Sequence, residues 1–117
     1  MNLDIETVDG VTVVKLTGEL DSVVSPVVQQ PLLPIAKSGG KLVLDMTGVS
    51  FVSSAGLRML LSIYRHVSSS GGRVVLVGVA NEIQEILDIT GFTHYLPLYK
   101  TLAEGMEALV SRRNASS

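Results

Sequence analysis

The sequence predicts a small single-domain α/β sandwich: a mixed sheet of four to five strands with about four helices packed on it. Three observations carry this reading. Short β-branched runs alternate with amphipathic segments in the order β-β-α-β-α-β-α-(β)-α, which implies parallel strand pairs joined by right-handed crossovers. Residues 41–46 and 73–79 are apolar without alternation, as suits strands covered on both faces of a parallel sheet. Asp9-Gly10 stands between Val8 and Val11, a dipeptide that favours a two-residue hairpin, so the first two strands are antiparallel.

The elements follow in order. Leu3, Ile5 and Thr7 alternate with Asp4 and Glu6, the period of a strand with one wet face. The second strand runs over residues 11–17 and ends at Gly18-Glu19-Leu20-Asp21. Residues 22–38 hold a helix in which Ser25-Pro26 reads as an N-cap followed by proline in the first helical position. Pro31 and Pro34 fall in its interior, where each clashes with the carbonyl four residues back. A short, kinked or late-starting helix is therefore expected, closed by Gly39-Gly40. The second helix starts near Ala55, with Leu57, Leu60, Leu61, Tyr64 and Val67 on one face. Arg58, Ser62, Arg65 and Ser69 form its polar face, and Ser70-Gly71-Gly72 ends it. Asn81 caps a third helix that turns Ile83, Ile86 and Leu87 inward and stops at Gly91. Residues 95–98 read as a short edge strand. Thr101-Leu102-Ala103-Glu104 is a capping box that opens the last helix, with Leu102, Met106, Leu109 and Val110 on its apolar face. Residues 1–111 read as one domain and 112–117 as a disordered polar tail.

Composition narrows the function. Hydrophobic residues make up 46% of the 117, enough for a core and too many for a disordered chain. No apolar run approaches the roughly 20 residues of a membrane span. The chain has no cysteine, which excludes disulfides and thiolate chemistry. Met1-Asn2-Leu3-Asp4 lacks the pattern of a secretion signal, and a cytoplasmic location is expected. Nine basic and eleven acidic residues leave a net charge of -2 with no basic stripe, against nucleic-acid binding.

Three segments are expected at the carboxyl ends of the strands, where α/β sheets place their sites: Glu19-Leu20-Asp21, Asp45-Met46-Thr47 and Ser53-Ser54-Ala55-Gly56. No enzyme signature fits them. Val52-Ser53-Ser54-Ala55-Gly56 lacks the first glycine of a nucleophile elbow, and His66 is about three helical turns from Ser54. Glycine-rich nucleotide loops are missing as well. Asp21 and Asp45 are two lone carboxylates, and His66 and His94 two isolated histidines, too few for a metal site. On residues alone, Ser53 and Ser54 read most simply as helix-capping serines.

The same residues carry a family resemblance. Leu16-Thr17-Gly18-Glu19-Leu20-Asp21, then Leu42-Val43-Leu44-Asp45-Met46-Thr47-Gly48-Val49-Ser50-Phe51, then Val52-Ser53-Ser54-Ala55-Gly56-Leu57-Arg58 resemble the anti-sigma factor antagonists, built on the STAS domain. The pattern L-x-G-x-[LF]-D, an apolar strand, D-[LM]-[ST] and F-[IV]-[DS]-S-[SA]-G-L occurs in that order. Residues 81–92 and the last helix are similar to the family's C-terminal part, so the resemblance covers about residues 3–110.

The resemblance implies a non-enzymatic switch without cofactor. An anti-sigma factor that is also a serine-protein kinase phosphorylates a serine at this helix start. The unmodified antagonist captures that factor and frees the sigma factor, and a phosphoserine phosphatase resets the cycle. By position the acceptor is Ser54; many members carry aspartate just before it, where this chain has Ser53, so Ser53 stays an alternative. The implied partner surface is Asp21, Ser22, Ser53, Ser54, Ala55, Gly56, Leu57 and Arg58, with Ser62 and Arg65 on the next turns. The alternative reading is a constitutive STAS scaffold or adaptor, of stressosome or lipid-transport type, that does not use phosphorylation. A small-ligand sensor or enzyme is a further rival.

Overall fold

In a computed structural model, which describes residues 1–110, five strands form one mixed sheet in the order β1-β2-β3-β4-β5. The tail expected over 112–117 lies outside the described residues. Strand β1 (Asn2–Val8) and strand β2 (Val11–Leu20) are antiparallel, with Val8 opposite Val11. Asp9 and Gly10 take φ of 52° and 78°, the two positive values this tight turn requires, which explains why Asp-Gly stands there. Strand β3 (Lys41–Val52), β4 (Arg73–Val77) and β5 (Leu98–Tyr99) continue the sheet in parallel.

The sheet grows in one direction from β2 to β5. With right-handed crossovers, that march puts every connecting helix on the same face. Helices α1 (Val24–Ala36), α2 (Ser54–Ser69) and α3 (Asn81–Ile89) duly share the large core with Val14, Leu16, Leu42, Leu44, Val74 and Leu76. Helix α4 (Leu102–Val110) follows the last strand and escapes the constraint. It covers the opposite face, where Leu109 closes a second core over Val11, Val13, Val43, Val75 and Val77. This explains why the central strands show no polar alternation: both faces are covered. Gly105 lets α4 approach, since a Cβ there would stand 2.5 Å from Val77 Cγ1.

Several expectations need correction. Helix α1 is neither short nor late: it starts before Pro26 and runs thirteen residues through Pro31 and Pro34. Both prolines are exposed, as are Val27 and Gln30, whose carbonyls they leave unbonded, so water can take the lost hydrogen bonds. Ser25 is not the N-cap; it is buried and donates its hydroxyl to Asp21 O at 2.7 Å. Strand β3 continues six residues past Met46. Two irregularities in its pairing with β2 each absorb an extra residue: Lys15 faces Asp45 but Thr17 faces Gly48, and Gly18 faces Val49 but Glu19 faces Phe51. Strand β2 likewise runs on to Leu20, and β4 stops at Val77 rather than 79.

Further corrections concern the helices and the edges. The buried face of α2 is Gly56, Met59, Leu60, Ile63 and Val67, while Leu57, Leu61 and Tyr64 flank it half-buried. Asn81 is the first residue of α3, after Ala80, and caps nothing by its side chain. Ile83 and Leu87 are buried, but Ile86 is exposed. A 3₁₀ turn over Phe92–His94 displaces the edge strand to Leu98–Tyr99. Strand β1 overhangs the core, so Ile5 stays exposed and only Leu3 packs against it. The predicted capping box is made in altered form: Thr101 Oγ1 accepts from Glu104 N at 3.1 Å, and Glu104 Oε1 from Lys100 N at 3.0 Å.

Candidate functional site

The site is built where β2 and β3 leave the sheet side by side. Leu20 pairs with Val52, so Asp21 and Ser53 are the next residues on neighbouring parallel strands. Asp21 turns the chain into α1. Its Oδ1 accepts from Val23 N at 3.0 Å and Val24 N at 2.8 Å, satisfying two donors that the helix start leaves free. Its backbone carbonyl accepts from Ser25 N at 3.0 Å as well as from Ser25 Oγ. Asp21→Ala is therefore expected to cost about 1 kcal/mol of stability, the usual worth of a capping side chain, measured by urea denaturation.

Ser53 does the equivalent work for α2, as its N-cap in extended conformation. Its Oγ accepts from Gly56 N at 3.2 Å and donates to Leu20 O at 3.1 Å, and its N–H donates to the same carbonyl at 2.9 Å. Ser53 thus ties the start of α2 to the end of β2. Gly56 permits the closeness: a Cβ there would lie 2.7 Å from Leu20 O and 2.9 Å from Val52 Cγ1.

Ser54 differs from its neighbour. It is the first residue of α2, it is exposed, and no hydrogen bond among the described residues engages its hydroxyl. The two serines that look alike in the sequence are thus divided into one that holds the loop and one that is presented to solvent.

Around Ser54 the expected surface assembles in part. Ser22, Arg58 and Arg65 are exposed; Asp21, Ser53, Ala55, Leu57 and Ser62 are half-buried. Gly56 is buried and has no surface to offer a partner directly. Ser62 is drawn inward by Gln29 of α1, whose Nε2 donates to Ser62 Oγ at 3.1 Å. Between the helices lies a shallow groove of about 290 Å³, lined by Ser25, Pro26, Gln29, Ala55, Arg58, Met59 and Ser62.

Asp45-Met46-Thr47 does not join this site. Because β3 is long, Asp45 sits seven residues before Val52, about 20 Å back along the strand. Asp45 is buried; its Oδ1 accepts from Thr47 N at 3.0 Å and Thr47 Oγ1 at 2.6 Å, bracing the irregular stretch of β3. Asp21 and Asp45 therefore share no site, and among the described residues no group of three or more His, Asp or Glu could hold a metal.

Sequence reasoning missed two things here. One is Gln29, whose partner in α2 no local pattern reveals. The other is Val23, at the N-cap of α1, and Val27, on the helix itself, which are 77% and 66% exposed. A signal for them exists: residues 22–36 contain no charge, so apolar groups must reach the outer face of α1.

Comparison with known proteins agrees with this architecture. The anti-sigma F factor antagonist of Paenibacillus polymyxa is 30% identical over 103 residues, covering 85% of this chain and 88% of its own length. The anti-sigma-B factor antagonist of Bacillus subtilis is 29% identical over 91 residues, covering 78% and 84%. The crystal structure of an anti-sigma factor antagonist from Mycobacterium paratuberculosis is 32% identical and superposes with a TM-score of 0.78 over 92% of each chain. The family model for the STAS domain matches residues 2–105, nearly everything from the first strand into α4, and the chain belongs to the STAS domain family.

Proposed function

We propose that this chain is a bacterial anti-sigma factor antagonist, a binding module rather than a catalyst, switched by phosphorylation at Ser54. In its unmodified form it captures an anti-sigma factor that is also a serine kinase, in the cytoplasm, and so frees a sigma factor. A phosphoserine phosphatase returns the modified form to use. The domain spans residues 1–111, and its partner surface is centred on Asp21, Ser22, Ser53, the start of α2 at exposed Ser54 and half-buried Ala55 and Leu57, and Arg58, with Ser62 and Arg65 beyond and the buried Gly56 beneath.

The observation that carries this reading is the division of labour between the serines. Ser53 Oγ is held by Gly56 N and Leu20 O, whereas the Ser54 hydroxyl is exposed and unengaged. A kinase must reach an oxygen free to attack, and Ser54 supplies it. Ser54 also stands in the first turn of α2, where the helix dipole tolerates negative charge, so a phosphate there need not unfold the loop. The names of the relatives support the binding role, and no helix among the described residues is long and apolar enough to cross a membrane.

The test is site-resolved mass spectrometry after incubation with ATP and the serine kinase of the same organism. One phosphate is expected on Ser54, retained in Ser53→Ala and absent from Ser54→Ala. Phosphate on Ser53 overturns the Ser54 assignment; none under any condition overturns the switch and favours a constitutive scaffold.

A further inference from the structure

We infer that the α1–α2 face takes a partner surface that is acidic around an apolar patch. The inference rests on the proposed binding role and adds the chemistry of what is bound. Its first support is the distribution of charge. The chain is net acidic, yet none of its eleven carboxylates lies in α1 or α2. The two charged residues on these helices are Arg58 and Arg65, both exposed, and no ion pair among the described residues engages either. They stand seven residues apart on α2, two turns along one face.

Asp21 stands at the start of α1, and its Oδ1 is committed to the backbone N–H groups there. The remaining acids are carried by β1, the β1–β2 turn, β2, β3, α3 and α4. A net-acidic protein that carries no carboxylate on two neighbouring helices, and leaves there two guanidinium groups without an ion pair among the described residues, attracts negative charge to that face.

The second support is apolar. Val23, at the N-cap of α1, and Val27, one turn along the helix, are 77% and 66% exposed, with exposed Pro26 between them. The 290 Å³ groove joins this ridge to Arg58. Arg58 and Arg65 also line a larger depression of about 480 Å³ with Leu61 and His66. Arg58 therefore stands at the junction of both hollows. An apolar ridge beside two cations is matched by a partner helix with an apolar stripe flanked by Asp or Glu. The fit also states what a phosphate at Ser54 would repel: the carboxylates drawn to Arg58 one turn along the same helix.

The probe is a pair of sixteen-residue amphipathic peptides sharing one leucine face, one flanked by Glu and one by Lys, titrated into the ¹⁵N-labelled full chain. The Glu peptide should shift the amides of Val23, Val27, Arg58 and Arg65. Its affinity should fall about tenfold or more between 50 and 500 mM salt and at least fivefold in Arg58→Glu/Arg65→Glu. Val27→Asp, a change on an exposed position, should weaken it in the same way while the rest of the spectrum stays wild-type. Equal binding of the Lys peptide, shifts confined to β1 or α4, or no shifts at all would overturn the inference. Neither kinase nor phosphate is used, so failure here leaves the Ser54 assignment to its own mass-spectrometric test.

Discussion

Gly56→Ala is expected to lower the stability of the chain by about 2 kcal/mol, although alanine is the better helix former by about 1 kcal/mol. The added methyl group would stand 2.7 Å from Leu20 O, 2.9 Å from Val52 Cγ1 and 3.1 Å from Leu20 Cβ. Two of these neighbours belong to side chains held in the core, and the first is backbone that already accepts two hydrogen bonds from Ser53. None can retreat cheaply. The start of α2 must instead lift from the end of β2, and the Ser53 bonds loosen with it. For a domain of this size, 2 kcal/mol is a fall in Tm of about 8 °C. Gly40→Ala is the control: its nearest contact, Ser38 Oγ at 3.5 Å, is ordinary, and its φ is not positive. Its effect should stay within about 0.5 kcal/mol. Parallel urea denaturation of the two variants checks this, and equal stabilities would refute the described closeness of α2 and β2.

If the proposed switch holds, Ser54→Asp is expected to weaken binding of the proposed anti-sigma partner by a factor between about 5 and 1000. The range follows from one added charge against nearby like charge, roughly 1–4 kcal/mol at contact distance near a protein surface. A phosphate, with about -1.5 to -2 charge, should act more strongly. Ser54→Ala should bind within about threefold of wild type and keep its stability, because the hydroxyl it removes engages no other group among the described residues. Calorimetry at low and high salt separates charge from shape: screening should recover part of the lost affinity for Ser54→Asp. If aspartate at 54 binds as tightly as serine, the charge switch is wrong. If alanine is as weak as aspartate, the hydroxyl itself is the contact.

Much of the fold was readable in the chain because the relevant signals are local. The Asp9-Gly10 turn, the doubly apolar strands and the α4 capping residues each depend on neighbours within a few positions. The misreadings share a cause. Pro31 and Pro34 break a helix in isolation, but here they and residues 27 and 30 are exposed, so water can take the hydrogen bonds they refuse. Ser25 has the composition of a cap, yet Asp21 four residues earlier reaches the free N–H groups first. The length of β3 depends on β2 lying beside it with two residues fewer, which no window on β3 alone contains.

The sequence by itself determined the order of elements, the parallel sheet with one antiparallel strand, and the Asp21 and Ser53–Ser54 stretch as the place to look. These follow from periodicity, turn chemistry and motif spacing, all carried along the chain. Only the tertiary structure decided which residues share the candidate site. It removed Asp45 to mid-strand, brought the carbonyl of Leu20 onto Ser53, and left the hydroxyl of Ser54 open. The physical reason is that a hydrogen bond across 33 positions of sequence has no local signature. Two adjacent serines remain equivalent until the fold supplies a carbonyl to one and solvent to the other.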